Sequence, residues 1–177
     1  MWSKTRQILK SKLADSLKDR VDYHYDVYHT KINKKKPDWH IEMDVLSIIV
    51  DGKALFCTNP NIYDYLYRRS NKKTEEELIR ETGMVGCEDG LGAPQFIGKF
   101  LSMSIDEAFT HDNYFIRLLA VLDKRVGKRR LRPLLDNIEN EPEWFRKWIR
   151  LRCEAEGMCG GQIESKGAEQ KQELKKM

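Results

Sequence analysis

The stretch Val21-Asp22-Tyr23-His24-Tyr25-Asp26-Val27 decides the fold. Val21, Tyr23, Tyr25 and Val27 alternate with Asp22, His24 and Asp26, and a period of two belongs to a strand that buries one face and wets the other. After Lys34-Lys35-Lys36-Pro37 the alternation resumes, with Trp39, Ile41, Met43 and Val45 against His40, Glu42 and Asp44, so an antiparallel hairpin with a basic turn is expected. Ile48-Ile49-Val50 then meets the tight-turn pair Asp51-Gly52, and Ala54-Leu55-Phe56-Cys57 continues beyond it. A small sheet of three or four strands follows.

On the N-terminal side of the sheet the period is helical. Ser3 is placed to cap a helix in which Leu9, Leu13 and Leu17, with Ile8 alongside, make one apolar stripe. On the C-terminal side the signals are again helical. Tyr63, Leu66 and Tyr67 suggest a short helix, and Thr74-Glu75-Glu76-Glu77 opens a second that Gly83 stops. Pro94 opens another, with Phe96, Ile97, Phe100 and Leu101 on one face, and Ser104-Ile105-Asp106-Glu107 is a capping box. The helix expected over 113–124 is apolar on nearly all sides and is read as the central one, with Asp112 as its cap. Beyond Gly127 comes a basic helix or turn carrying Leu131, Leu134 and Leu135. Asn140-Glu141-Pro142-Glu143 then starts a last helix with Trp144, Phe145, Trp148 and Ile149 together, ended by Gly157.

Strands first and helices afterwards, rather than in alternation, define an α+β fold: an N-terminal helix on a small antiparallel sheet, then a helical C-terminal half. The chain has 177 residues, enough for one domain to bury a core without disulfides, and that domain is expected over 1–158. The Gln, Glu, Lys and Gly of 159–177 carry no apolar period and read as a disordered polar tail.

No stretch approaches the roughly 20 apolar residues that span a bilayer, since Arg117, Asp123, Lys124 and Arg125 interrupt the longest run. Lys10 and Lys12 break what would be the apolar core of an export signal. Cys57, Cys87, Cys153 and Cys159 form no C-x-x-C pair, and reduced thiols in the cytoplasm are expected.

Met1-Trp2-Ser3-Lys4-Thr5, Ser16-Leu17-Lys18-Asp19-Arg20-Val21-Asp22-Tyr23-His24 and Leu122-Asp123-Lys124-Arg125-Val126-Gly127-Lys128-Arg129 together resemble a family of small uncharacterised bacterial proteins. The likeness runs from Met1 to about the last expected helix. It implies a bacterial cytoplasmic protein and supplies no catalytic residues.

Three constellations could carry chemistry. With the hairpin turn centred near Lys34, His24 and Asp26 share a sheet face with His40 and Glu42, and imidazoles beside carboxylates could hold a divalent metal or move protons. A solvated sheet face accounts for the same residues, and no tight ligand motif accompanies them. The glycine-rich run Gly83 to Gly92 precedes a helix, as phosphate-cradling loops do. It follows a helix rather than a strand, however, and sets Glu88 and Asp89 where an anion would sit, so it reads as a connector.

The third is charge. Between Lys124 and Arg152 there are ten basic residues against four acidic ones, and Lys124, Arg125, Lys128, Arg129, Arg130, Arg132, Arg146 and Arg150 are the candidate binding set. His111 and Asp112 belong to a helix start rather than a triad, and no G-x-S-x-G elbow is present.

The expected function is a non-enzymatic protein-binding or regulatory module without a cofactor, of the size and class of toxin-neutralising partners, with a protein as its partner. The alternatives are a nucleic-acid-binding module using 124–152 and a metal-dependent enzyme using the polar face of the 21–45 hairpin.

Overall fold

Helix α1 (Trp2–Lys12) buries Leu9, and the leucine stripe continues past the helix end rather than along it. Leu13 bridges Asp123 in a single antiparallel pair, and Leu17 closes a 3-10 turn over Asp15–Leu17. Ile8, expected beside the stripe, is 38% exposed, because Leu13 and Leu17 approach the core through this bend and leave the Ile8 side of α1 to water. Ser3 lies inside the helix rather than capping it. The computed structural model describes residues 2–29, 42–58 and 93–158. The basic turn at 34–37, the expected helices at 63–67 and 74–83, the glycine-rich run, His40 and the tail lie outside them.

Among the described residues the sheet has three antiparallel strands in the order β1 (Val21–His29), β2 (Glu42–Val50), β3 (Lys53–Cys57). The segments expected as two strands around residues 42–50 are one, and its register departs from expectation. Val21 lies opposite Val50 and Tyr23 opposite Ile48, so odd positions of β1 share a face with even positions of β2. The core face is therefore Val21, Tyr23, Leu46, Ile48, Val50 and Phe56, while Val45 and Ile49 stand on the other side. One residue of slip exchanges the two faces of a strand, and Leu46, Ile48 and Val50 take the buried parity that had been expected for Met43 and Val45.

Asp51 and Gly52 both have positive φ, 49° and 78°, as a two-residue hairpin turn matched to strand twist requires. A bulge between Ile48 and Ile49 pairs Ile48 with Phe56, which turns Phe56 inward and leaves Leu55 55% exposed.

The helical half follows: α2 (Ala93–Ser102), α3 (Ile105–Phe109), α4 (Tyr114–Leu122), α5 (Lys128–Asp136) and α6 (Glu143–Ala155). Ser104 and Glu107 form the expected capping box of α3. Helix α4 buries seven of its nine residues and is central, as its all-round apolar sequence requires. Its cap is Asn113 rather than Asp112. The Asn113 Oδ1 accepts from the N–H groups of Phe115 and Ile116 at 3.0 and 3.2 Å, and the N–H of Asn113 itself donates to His111 Nδ1 at 2.9 Å. Helix α6 ends on Gly157 at φ 69°, where Met158 N–H reaches Cys153 O at 2.8 Å and Gly157 N–H reaches Glu154 O at 2.9 Å. Glycine fits there because the closing residue is left-handed.

The loop between α4 and α5 joins the two halves. Ala14 N–H donates to Leu122 O at 2.9 Å and Lys124 N–H to Lys12 O at 2.7 Å. From α6 the buried Arg152, 2% exposed, donates through Nε to Val121 O at 3.1 Å and through Nη2 to Val126 O at 3.0 Å. Its Nη1 donates to Ser16 Oγ at 3.1 Å and to the Glu156 carboxylate, and Ser16 Oγ donates to the same carboxylate at 2.8 Å. Replacing Arg152 with Met keeps the volume and strands four acceptors. The expected loss is about 3 kcal/mol, read as a fall in melting temperature of roughly 6–12 °C. A loss under about 1 kcal/mol would show that the fold does not depend on this contact.

Candidate functional site

The register separates the hairpin residues that were expected to converge. His24 lies opposite Ser47 and Asp26 opposite Val45, and His24 and Asp26 are both exposed on the outer face. Position 42 pairs with position 29, which puts Glu42 at the other parity from His24 and Asp26. The shared face required an even-to-even register, and the observed pairing is even-to-odd. His40 is outside the described residues. Among the described residues no group of three or more His, Cys, Asp or Glu could hold a metal ion.

Asp22, on the same outer parity, faces α1. Arg6 Nε donates to its Oδ1 at 2.9 Å and Arg6 Nη2 to its Oδ2, Lys10 Nζ stands 3.6 Å away, and the N–H of Tyr23 donates to Oδ1 at 2.8 Å. The bond from Arg6, helped by the Tyr23 N–H and the charge of Lys10, outweighs partial burial and pulls its pKa down to about 2.

In the basic region the fold divides the candidate set in two. Lys124 Nζ caps α1 by donating to Ser11 O at 2.8 Å, where a cation suits the carbonyl end of a helix. Arg125 grips the buried carboxylate of Asp123 through Nε and Nη2, and its own N–H donates to the same group at 2.8 Å. Arg130 pairs with Asp106 at 2.6 Å. Arg146 holds Glu139 and donates to Glu141 O at 2.6 Å, and Arg150 approaches Glu139 at 3.8 Å. Five of the eight candidates therefore bind this chain itself.

Lys128, Arg129 and Arg132 remain, all exposed on α5. Among the described residues no ion pair reaches Arg129 or Arg132, and Lys128 acts only through its field on Glu156. Burial would raise the Glu156 pKa, but Ser16, Arg152 and Lys128 together hold it low. Charge counting along the chain missed Lys12 and Lys18. The fold brings them to the same end, for the Lys12 carbonyl accepts from Lys124 and the Lys18 partner, Asp15, also feels the charge of Lys124. Only the contact between 11–14 and 122–124 could have revealed them.

A family model described as the SF0329 protein family matches residues 1–153, most of the chain. The chain belongs to the SF0329 family. The match runs from α1 to Cys153 and so contains Arg152 with its Ser16, Val121 and Val126 acceptors, while Glu156 lies beyond it. This is the uncharacterised family expected from the sequence, and it assigns no activity. No curated protein and no solved structure matches the chain. Among the described residues no helix is long and apolar enough to cross a membrane.

Two of the groups that respond to acid can be followed separately. The folded pKa of Asp22 lies below its ordinary value, so its stabilisation is present above about pH 4 and is lost as pH falls toward 2. Arg6 and Lys10 are 41% and 40% exposed, so solvent screens the pair and about 1–2 kcal/mol is expected. Burial, then the charge of Lys99, lowers the pKa of His111, so its stabilisation fades as pH falls below the ordinary histidine value. Urea unfolding at about pH 7, 5 and 2.5 should show the first loss missing in Asp22→Asn and the second missing in His111→Asn. Curves parallel to wild type would refute both assignments.

Proposed function

We propose that the chain is a non-enzymatic binding module of the bacterial cytoplasm and that the exposed face of α5 receives an acidic surface of a protein partner. The observation that supports this reading is the local conflict in α5. Lys128, Arg129 and Arg130 occupy its first turn, where the helix dipole favours anions, with no acidic residue in that turn and no side-chain cap at Gly127. Each misplaced cation costs about 0.3–1 kcal/mol. Arg130 recovers this through Asp106, whereas no ion pair among the described residues offsets Arg129 or reaches Arg132 in the next turn. A sequence that breaks a folding rule with no compensation inside the fold marks a position kept for something outside it.

The number of open charges favours a protein over nucleic acid. Proteins that grip duplex backbone typically neutralise about six to ten phosphates. Here most of the region's arginines are held internally, and a few cations along one short helix suit the rim of a protein interface, where charge sets encounter rate and register. The comparison with toxin-neutralising partners rests on size and class alone.

The test uses Arg129→Glu with Arg132→Glu. Glu at 129 suits the start of α5, so the variant should melt about 1–4 °C above wild type. As bait in extract of the source cells, wild type should recover a stoichiometric protein that the variant loses. Fluorescent single- and double-stranded oligonucleotides should show no saturable binding at about 50 mM salt. Saturable oligonucleotide binding with a steep salt dependence would replace this reading with the nucleic-acid one. Equal recovery of the same proteins by both baits would remove the α5 face from any interface.

A further inference from the structure

A second surface, independent of α5, lies between α1 and the edge strand β1. The stripe of Leu9 turns into the core, which leaves Trp2, Arg6 and Lys10, one row at helical spacing, facing the strand. Together with Tyr25, His24 and Asp26 they line a groove of about 360 Å³. That volume is within the range of small-molecule sites, which run from about 300 to 1,000 Å³.

Three features of the groove bear on what it could hold. Its aromatic wall is fixed, because the Trp2 and Tyr25 rings pack at 5.1 Å with a 35° tilt. Its cationic side is fixed as well: Arg6 is tied to Asp22 through Nε and Nη2, and Lys10 stands 3.6 Å from the same carboxylate. Two cations share the one carboxylate of Asp22, and donors on both side chains remain for a second anion. At the rim Asp26 is exposed and offers carboxylate oxygens as acceptors. A site whose aromatic wall and cationic donors are held in place before a ligand arrives, with a separate acceptor at its rim, binds with a reduced ordering cost.

We infer that this groove binds a small planar aromatic anion, with the ring against Trp2 and Tyr25, the anionic group at Lys10 and Arg6, and N–H donors of the ring toward Asp26. The anionic group is a phosphate or a carboxylate, since the donors present accept either.

The test follows backbone and indole N–H resonances of the full chain during titration with adenosine 5′-monophosphate, indole-3-acetate, adenosine and inorganic phosphate. At least one of the first two should saturate with a Kd below about 1 mM, tenfold or more tighter than adenosine or phosphate alone, and shift the Trp2 indole and the Tyr25 amide. Saturation by the nucleotide alone identifies a phosphate, and saturation by indole-3-acetate alone a carboxylate. Lys10→Met, which leaves the Arg6–Asp22 pair in place, should weaken binding about tenfold with the melting temperature little changed. No saturable shift with any of the four compounds at about 10 mM would overturn the inference. So would binding that Lys10→Met and Trp2→Leu both leave unchanged.

Discussion

One buried guanidinium organises this molecule. A charge as deeply placed as Arg152 is costly unless each donor finds an acceptor, and here the acceptors come from four separate places: Val121 at the end of α4, Val126 in the loop, Ser16 in the 3-10 turn and Glu156 just past the end of α6. The planar fork matches this arrangement, because it presents Nε, Nη1 and Nη2 in fixed directions that a lysine could not reach together. Two of the acceptors are backbone carbonyls, so the contact fixes chain path as well as side-chain packing. With Ala14 and Lys124 hydrogen-bonded across to Leu122 and Lys12, the N-terminal segment, the loop and the last helix close on one another.

The same accounting explains why little of the basic region is available at the surface. Asp123 is 1% exposed and would be an unpaired buried carboxylate without Arg125. Arg117 and Glu141 make a second largely sheltered pair at 2.5 Å, with the guanidinium 4.8 Å above the Tyr114 ring. What α5 leaves over is the remainder, and the significance of Lys128 and Arg129 rests on standing at the end of a helix where folding alone would have selected the opposite charge.

The order of elements was legible in the sequence because it depends on local signals: the period of two at 21–27, Asp51-Gly52, the capping box at Ser104 and the glycine after α6. The strand register was not. Two alternations compete in 39–50, Trp39 to Val45 on odd positions and Leu46 to Val50 on even ones, and a period cannot say which the core will accept. Only the pairing with β1 decides it, and that pairing parts position 42 from positions 24 and 26, which the alternation alone had put on one face. Asn113 displaced Asp112 as the α4 cap for a related reason: adjacent residues were equally able to cap, and the helix start fixed the choice. Charge was legible as a total and illegible as a surface, since partners such as Asp106 for Arg130 and Ser16 for Arg152 are distant in sequence.

Helix α1 is where these constraints meet. Its Leu9 side is part of the core, its Trp2, Arg6 and Lys10 side makes one wall of the groove, and its last carbonyls accept from Lys124, the residue that leads toward α5. A short isolated helix of this length is marginal in water, so its position is set by these three attachments rather than by its own propensity. The ion pair with Asp22 fixes its rotation against the sheet, and the pairing with 122–124 fixes its height. Both are polar contacts with defined geometry, whereas the leucine stripe alone would allow the helix to slide. The charged residues of α1 thus do for orientation what Leu9, Leu13 and Leu17 do for burial.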